Sequence, residues 1–352
     1  MKLFRFLIFL GSIPVLLLAG TPVEVRLSEA QQKLRGEFAS KAQSSERKNA
    51  AASAEADGWL FFAAEFRLLS LGRFWGDAAA RVSRSHKAEL ADPVPAMVDF
   101  QKQLKERGID LLVVPVPPKA AIYPEKILAA FNVESDDAAP FLHRFYEELR
   151  TSGLDVLDLT QLFVQSRDDK RGGVFCKTDS HWSGLGCMLA ARAIAEKVRD
   201  KLTTAGSRKE YVSEWKDAQI SGDLASLLPP GSPKGGPERI EVRAVSEKGT
   251  GAAVEPEANS PVLLLGDSHT LVFHDFLAER AGLVDQLTQE LGFAPDLIGT
   301  RGSGATPVRI SLYRHSLKNP DYLAKKKVVV WCFSAREFTE ATEGWGKIPV
   351  AK

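Results

Sequence analysis

Three short apolar runs constrain this chain more than any other feature: LLVVPVP at 111–117, PVLLLG at 261–266 and VVVWCF at 328–333, none of them carrying a charge. Each is too short for a buried helix, and none alternates as a strand with one wet face does. Such runs are strands enclosed on both faces, and the chain must supply the helices that enclose them. Helical periodicity lies between them, in MVDFQKQLKERG (97–108), PFLHRFYEELRTSG (140–153) and GLGCMLAARAIAEKVRDKL (184–202). The last of these places Cys187, Ala190, Ala191, Ile194 and Val198 on one face. LDVLDL (154–159) and PDLIGT (295–300) read as further short strands, and the residues after Ser268 as a helix. The expectation is an α/β fold with a mostly parallel sheet covered on both faces.

A chain of 352 residues, 44% hydrophobic and 26% charged, has material for a full core and is neither disordered nor fibrous in composition. Its 46 basic and 45 acidic residues leave no global field to recommend a nucleic acid or an anionic membrane surface as partner. A polyanion would have to be held by a local patch. Cys176, Cys187 and Cys332 allow at most one disulfide, and their apolar settings read as buried small hydrophobes.

The amino terminus departs from this globular character. Lys2 and Arg5 precede an uncharged run from Phe6 to Val23, the pattern of a secretory signal or a membrane anchor. As a helix, this run would measure about 27 Å, barely enough to cross a hydrocarbon core. Residues 1–23 are therefore expected to form a hydrophobic helix, cleaved or retained, and the remainder to be exported. Residues 24–56 are polar and alanine-rich and read as a solvated helical stalk. The folded domain is expected over 57–345, interrupted at 203–260 by a Gly- and Pro-rich excursion that holds a hairpin around RIEVRAV and carries no chemistry.

Two stretches carry candidate chemistry. VLLLGDSHT (262–270) puts Ser268 at the carboxyl end of a buried strand, where parallel α/β sheets form their sites. Its own N–H, at a helix start, would face an oxyanion, although Asp267 and Ser268 could equally be a helix cap. KTDSHWSG (177–184) places Asp179 two residues from His181. A serine hydroxyl needs a neighbouring imidazole to take its proton, and the imidazole needs an acceptor to fix its tautomer. A capped polar turn is the alternative reading of that stretch.

DGWLFF, VVPVPPKAAIYPEK, CKTDSHWSGLG, SGDLASLLP and LLLGDSHT occur in this order between about Asp57 and Phe338. Together they resemble the periplasmic polysaccharide O-acetyltransferases of the alginate AlgJ/AlgX type, within the SGNH hydrolase superfamily. In that type the Asp-x-His-Trp block precedes the serine, as it does here. The resemblance implies a three-layer α/β/α sandwich of the permuted SGNH kind, with Ser268 as nucleophile, His181 as general base and Asp179 as its orienting partner. No cofactor is expected. One departure is His269, where the family often has a bulky aromatic residue; it adds a titratable group or caps the helix.

Other candidates are open to two readings each. Gly302, in GTRGSGATP, supplies a second oxyanion N–H or only a turn. Lys119 and Arg336, each following a strand, hold acidic sugar groups or form structural ion pairs. Trp182 stacks on a sugar ring or packs beneath His181. His86, His274 and His315 lack metal-ligand spacing, and no metal site is read. The leading function is transfer of acetyl from a membrane-bound O-acyltransferase, through acyl-Ser268, to an exopolysaccharide. A polysaccharide acetylesterase with the same triad and a non-catalytic glycan-binding subunit of an export complex are the alternatives, and transferase and esterase differ in how the site excludes water.

Overall fold

The structure, a computed structural model, describes residues 25–202, 209–232 and 235–352. The hydrophobic segment expected at 1–23 lies outside the described residues. Among the described residues no helix is long and apolar enough to cross a membrane. In chain order the longer elements begin with α1 (Glu29–Arg47), β1 (Ala52–Ala54), β2 (Leu60–Phe62), α2 (Ala63–Ser70), α3 (Pro93–Lys105) and β3 (Asp110–Val116). They continue with α4 (Pro140–Thr151), β4 (Asp155–Val156), α5 (Gly184–Arg199), β5 (Tyr211–Ile220), β6 (Glu238–Glu247) and β7 (Val262–Gly266). The last are α6 (Leu283–Leu291), β8 (Asp296–Gly299), α7 (Thr306–Lys318) and β9 (Val328–Ser334).

The central sheet has five strands in the order β4-β3-β9-β7-β8, and every neighbouring pair is parallel. Leu112 pairs with Val330, and Val330 in turn with Leu264. All residues of β7 and β9 are buried, which is why their sequences carry no polar alternation. Their side chains meet the apolar faces of the covering helices, among them Met97, Phe100 and Leu104 of α3 and Leu142, Phe145 and Leu149 of α4. The fourth strand is shorter than LDVLDL suggests, since only Asp155 and Val156 pair with β3.

Two segments behave differently from their composition. The supposed stalk does form a helix, started by a capping box between Ser28 and Gln31, but it is not free in solvent. Leu34, Phe38 and Ala42 of α1 are buried against the domain, with Phe38 stacked 5.9 Å from Phe66 of α2. Their four-residue spacing is a stripe, narrow enough to be lost among the alanines around it. The excursion is also more regular than expected: β5 and β6 pair antiparallel over their whole length, from Tyr211 with Glu247 to Ile220 with Glu238.

Candidate active site

Parallel pairing puts the carboxyl ends of β3, β7, β8 and β9 along one edge of the sheet, where ligand crevices form in such folds. Ser268 follows β7 there. Its turn is fixed by Asp267, whose carboxylate accepts the His269 N–H at 2.9 Å and the Ser334 N–H at the end of β9 at 2.7 Å. The helix expected after Ser268 does not form. Ser268–Thr270 is a single 3-10 turn, and the chain then runs through a loop in which Phe273, Leu277 and Arg280 take left-handed φ angles before α6 begins. A single turn carries no macrodipole, and the Ser268 N–H is an individual donor.

The Asp-x-His stretch is brought to the same place. His181 Nε2 lies 2.8 Å from Ser268 Oγ, and His181 Nδ1 lies 2.6 Å from Asp179 Oδ1. The His181 N–H donates to the same oxygen at 3.0 Å, while Asp179 Oδ2 accepts the Asp223 N–H at 3.0 Å. Burial works to raise the Asp179 pKa, but the hydrogen bond and charge of His181 and the two backbone donors outweigh it and hold the carboxyl at about 2. An ionised carboxylate only accepts, so Nδ1 carries the ring proton and Nε2 presents its lone pair to the serine hydroxyl.

A second Asp-x-His pair stands beside the first. His269 Nδ1 lies 3.1 Å from Asp267 Oδ1, and its ring centre lies 4.8 Å from that of His181. Burial lowers the His269 pKa against the pull of Asp267, so the ring beside His181 is neutral. Trp182 meets His269 edge-on at 5.3 Å and is wholly enclosed. Its ring packs against His269 inside the protein, so of its two readings the packing one holds, against His269, and the sugar-stacking one is corrected.

Lys119 is corrected too. Its side chain is fully buried, and Nζ donates to the carbonyls of Cys176 at 3.0 Å, Lys177 at 3.3 Å and Asp179 at 2.7 Å. Three N–H groups meet three carbonyls on the segment that carries the Asp-x-His pair, leaving none for a ligand. Burial pushes the Lys119 pKa down, and the Glu65 carboxylate, which accepts the Lys119 backbone N–H at 3.0 Å, pulls it back. Arg336 is half-buried; it donates to Ser334 Oγ at 2.7 Å and lies 4.9 Å from the Phe62 ring. Burial raises the pKa values of Glu65 and Glu337, the latter to about 7, and the nearby Arg336 charge works against that rise without displacing it.

The excursion supplies groups to which the sequence assigned no role, Asp223 of the SGDLASLLP block and Glu238. Asp223 accepts the Ser180 N–H at 2.8 Å and the Ser180 hydroxyl at 2.6 Å. Glu238 at the start of β6 accepts the Lys177 and Thr178 N–H groups at 2.7 and 2.8 Å. Lys119 from one side and Asp223 and Glu238 from the other thus hold residues 176–180. Asp179, His181 and Asp223 are the one cluster of potential metal ligands among the described residues, and protein donors occupy all four of their carboxylate oxygens. No short-range signal links Asp223 to Asp179, which it reaches from 44 residues away.

Gly302 has φ +104° and open space around it, whereas the close approach in its loop is made by Gly304. A Cβ at Gly304 would overlap the Phe333 side chain and crowd Asp267, so this glycine lets the loop lie against the residue before Ser268. The same loop is tied down by Ser303, which donates to Glu337. Phe276, on the left-handed loop, meets His181 edge-on with ring centres 5.6 Å apart.

The carboxyl edge of this parallel sheet carries a hydrogen-bonded Ser268–His181–Asp179 chain, the arrangement of a serine-nucleophile site. Residues 54–335 match the family described as "SGNH hydrolase-like domain, acetyltransferase AlgX", and the chain belongs to that family. Among curated relatives, the probable alginate O-acetylase AlgJ of Pseudomonas aeruginosa is 29% identical over 174 residues, which is 49% of this chain and 40% of the relative. That of Pseudomonas putida is 28% identical over 66% of this chain and 60% of its own length. The matches therefore span less than two thirds of these relatives. Of the solved structures, the O-acetyltransferase domain of Pseudomonas putida AlgJ superposes with a TM-score of 0.61 at 22% identity, covering 82% of this chain and 92% of that one. AlgX of Pseudomonas aeruginosa superposes with a TM-score of 0.54 at 18% identity, covering 82% of this chain and 65% of that one. These likenesses establish the shared fold.

Proposed function

We propose that this chain is an exported O-acetyltransferase that moves an acetyl group, through an acetyl-Ser268 intermediate, onto hydroxyls of an alginate-like polysaccharide. The observation that carries the reading is the continuous Ser268–His181–Asp179 hydrogen-bonded chain within a member of an acetyltransferase family. Ser268 gives its proton to His181 Nε2 as its oxygen attacks the acetyl carbonyl. The N–H groups of Ser268 and Gly302 are the proposed donors to the oxyanion. The tetrahedral intermediate collapses, the donor oxygen leaves with the proton from His181, and acetyl remains on Ser268. A glycan hydroxyl then passes its proton to His181, attacks the acetyl carbon and releases Ser268. The Asp179 charge stabilises the imidazolium at each half-reaction. The AlgJ relatives, named as probable alginate O-acetylases, support a polysaccharide acceptor, and a membrane-bound O-acyltransferase is the proposed acetyl source.

Incubating the protein with a small acetyl ester, with and without oligosaccharides, tests the reaction. Faster donor turnover and acetylated sugar are the expected products. Free acetate at the same rate in both, with no acetylated sugar from acidic or neutral glycans, would make the protein an esterase; no turnover at all would leave a glycan-binding role. The proposed location is the periplasm, with or without anchoring by residues 6–23, on the strength of the uncharged run from Phe6 to Val23. A reporter fused after residue 57 is expected to be active only outside the cytoplasm, and cytoplasmic activity would overturn this.

A further inference from the structure

We propose that Phe276, held down by Arg301, is the element that makes the site choose a hydroxyl over water as acceptor. This rests on the acetyl-transfer reading above. From the solvent inward, three groups are layered: the exposed Arg301 guanidinium lies 4.4 Å from the Phe276 ring centre, and that ring lies edge-on against His181. His181 is only 5% exposed, although its Nε2 must serve whatever acceptor enters.

The loop that presents Phe276 is not one the chain adopts without cost. Phe273, Leu277 and Arg280 have φ of 64°, 67° and 60°, a region that side chains bearing a Cβ disfavour by about 1 kcal/mol or more each. The surroundings over-determine it. The Phe273 N–H donates to the Phe276 carbonyl at 2.8 Å and the Ala281 N–H to the Phe273 carbonyl at 2.9 Å. Behind the loop, His274 Nδ1 bonds Asp285 Oδ2 at 2.9 Å, and the Arg280 carbonyl accepts from Val245 of β6 at 2.8 Å. Strain maintained by this many contacts is a reason to look for function at the tip, and the tip is a phenyl ring on the general base.

Both acceptors use the same proton path, since water or a glycan hydroxyl must give its proton to His181 Nε2 while its oxygen attacks the acetyl carbon and Ser268 departs with a proton. Selection between them is therefore a matter of occupancy. Beside the Phe276 ring a water has no partner other than His181 Nε2 and leaves its remaining hydrogen-bonding groups unpaired, whereas a sugar brings its hydroxyl on a body that covers apolar surface. The cation over the outer face of the ring keeps it from swinging away.

The partition of acetyl between water and a hydroxyl is independent of how fast Ser268 is acylated, so it separates this role from general damage. 4-Nitrophenyl acetate serves as donor and glycerol as acceptor, and acetate and acetylglycerol are quantified by mass spectrometry. Phe276→Ala is expected to raise the acetate share relative to acetylglycerol about tenfold, and Phe276→Leu to stay within about twofold of the unmodified protein. Arg301→Ala, a surface change that leaves the core intact, is expected to raise it about threefold and keeps the test available should Phe276→Ala not fold. A ratio unchanged in the variants, in a protein that does transfer, overturns this inference alone. An unmodified protein that yields only acetate, from glycerol and from acidic and neutral oligosaccharides alike, overturns it together with the transferase reading.

Discussion

Ser268→Ala is expected to abolish turnover of the acetyl donor, by about a millionfold in kcat, while the protein stays folded. The size follows from the arrangement. His181 Nε2 has one partner among the described residues, the Ser268 hydroxyl at 2.8 Å, and without that oxygen there is nothing for the base to activate and nothing to carry the acetyl group. Binding groups and oxyanion donors remain, but together they are worth only the residual rate that a triad-less site keeps over water. The structural cost is small, because the turn is held by Asp267 through His269 and Ser334 and not by the serine side chain. Full activity in this variant would remove both the transferase and the esterase readings. Thermal unfolding checks that the fold survives.

The second large effect is expected at Asp179. Asp179→Asn keeps the shape but replaces an acceptor with an amide, whose NH2 can face Nδ1 and drive the proton to Nε2, where it blocks the serine. A fall of about 10³–10⁴ in kcat is expected near neutral pH, with KM little changed, because the lost interaction is made most strongly to the imidazolium of the transition state. In the unmodified protein the Asp179 pKa of about 2 keeps this carboxylate ionised down to pH about 2, so the orientation of His181 does not fail at moderately acidic pH. The same depression has a stability consequence. A carboxylate whose folded pKa lies below its unfolded value contributes stability that is present above pH about 4 and is lost as pH falls towards 2. Kinetics over pH with both proteins check the first point, and an Asp179→Asn variant with kcat within tenfold of the original would contradict it.

What was legible in the sequence is what short-range pattern can encode. Strands such as VVVWCF are uncharged because both their faces are covered, and α3 and α5 show their buried faces at helical spacing. Asp179 and His181 stand out because the pair is local, and Ser268 because it ends a buried strand. The remainder depends on contacts between distant segments. Nothing near Lys119 tells that its ammonium meets three carbonyls nearly sixty residues on, and a basic residue after a strand reads equally well as a ligand group. Asp223 and Glu238 sit in a segment whose glycines and prolines suggest irregular chain, yet they hold the loop that bears Asp179. The run after Ser268 has helical composition, but the bonds to β6 and α6 and the packing of Phe276 on His181 draw it into a left-handed loop instead. Tertiary contacts override propensity where the site needs a shape that propensity does not favour.

The central claim is that acetyl passes through Ser268, and the most direct measurement is to look for it there. The protein is mixed with an acetyl ester, quenched in acid within the first turnover, digested, and its peptides examined by mass spectrometry, with a parallel sample chased with oligosaccharide before quenching. Acetyl is predicted on the oxygen of Ser268, disappearing in the chase as acetylated sugar appears at the same rate. Acetylated sugar that forms while Ser268 stays unmodified at every time point, or acetyl found only on another residue, would contradict it.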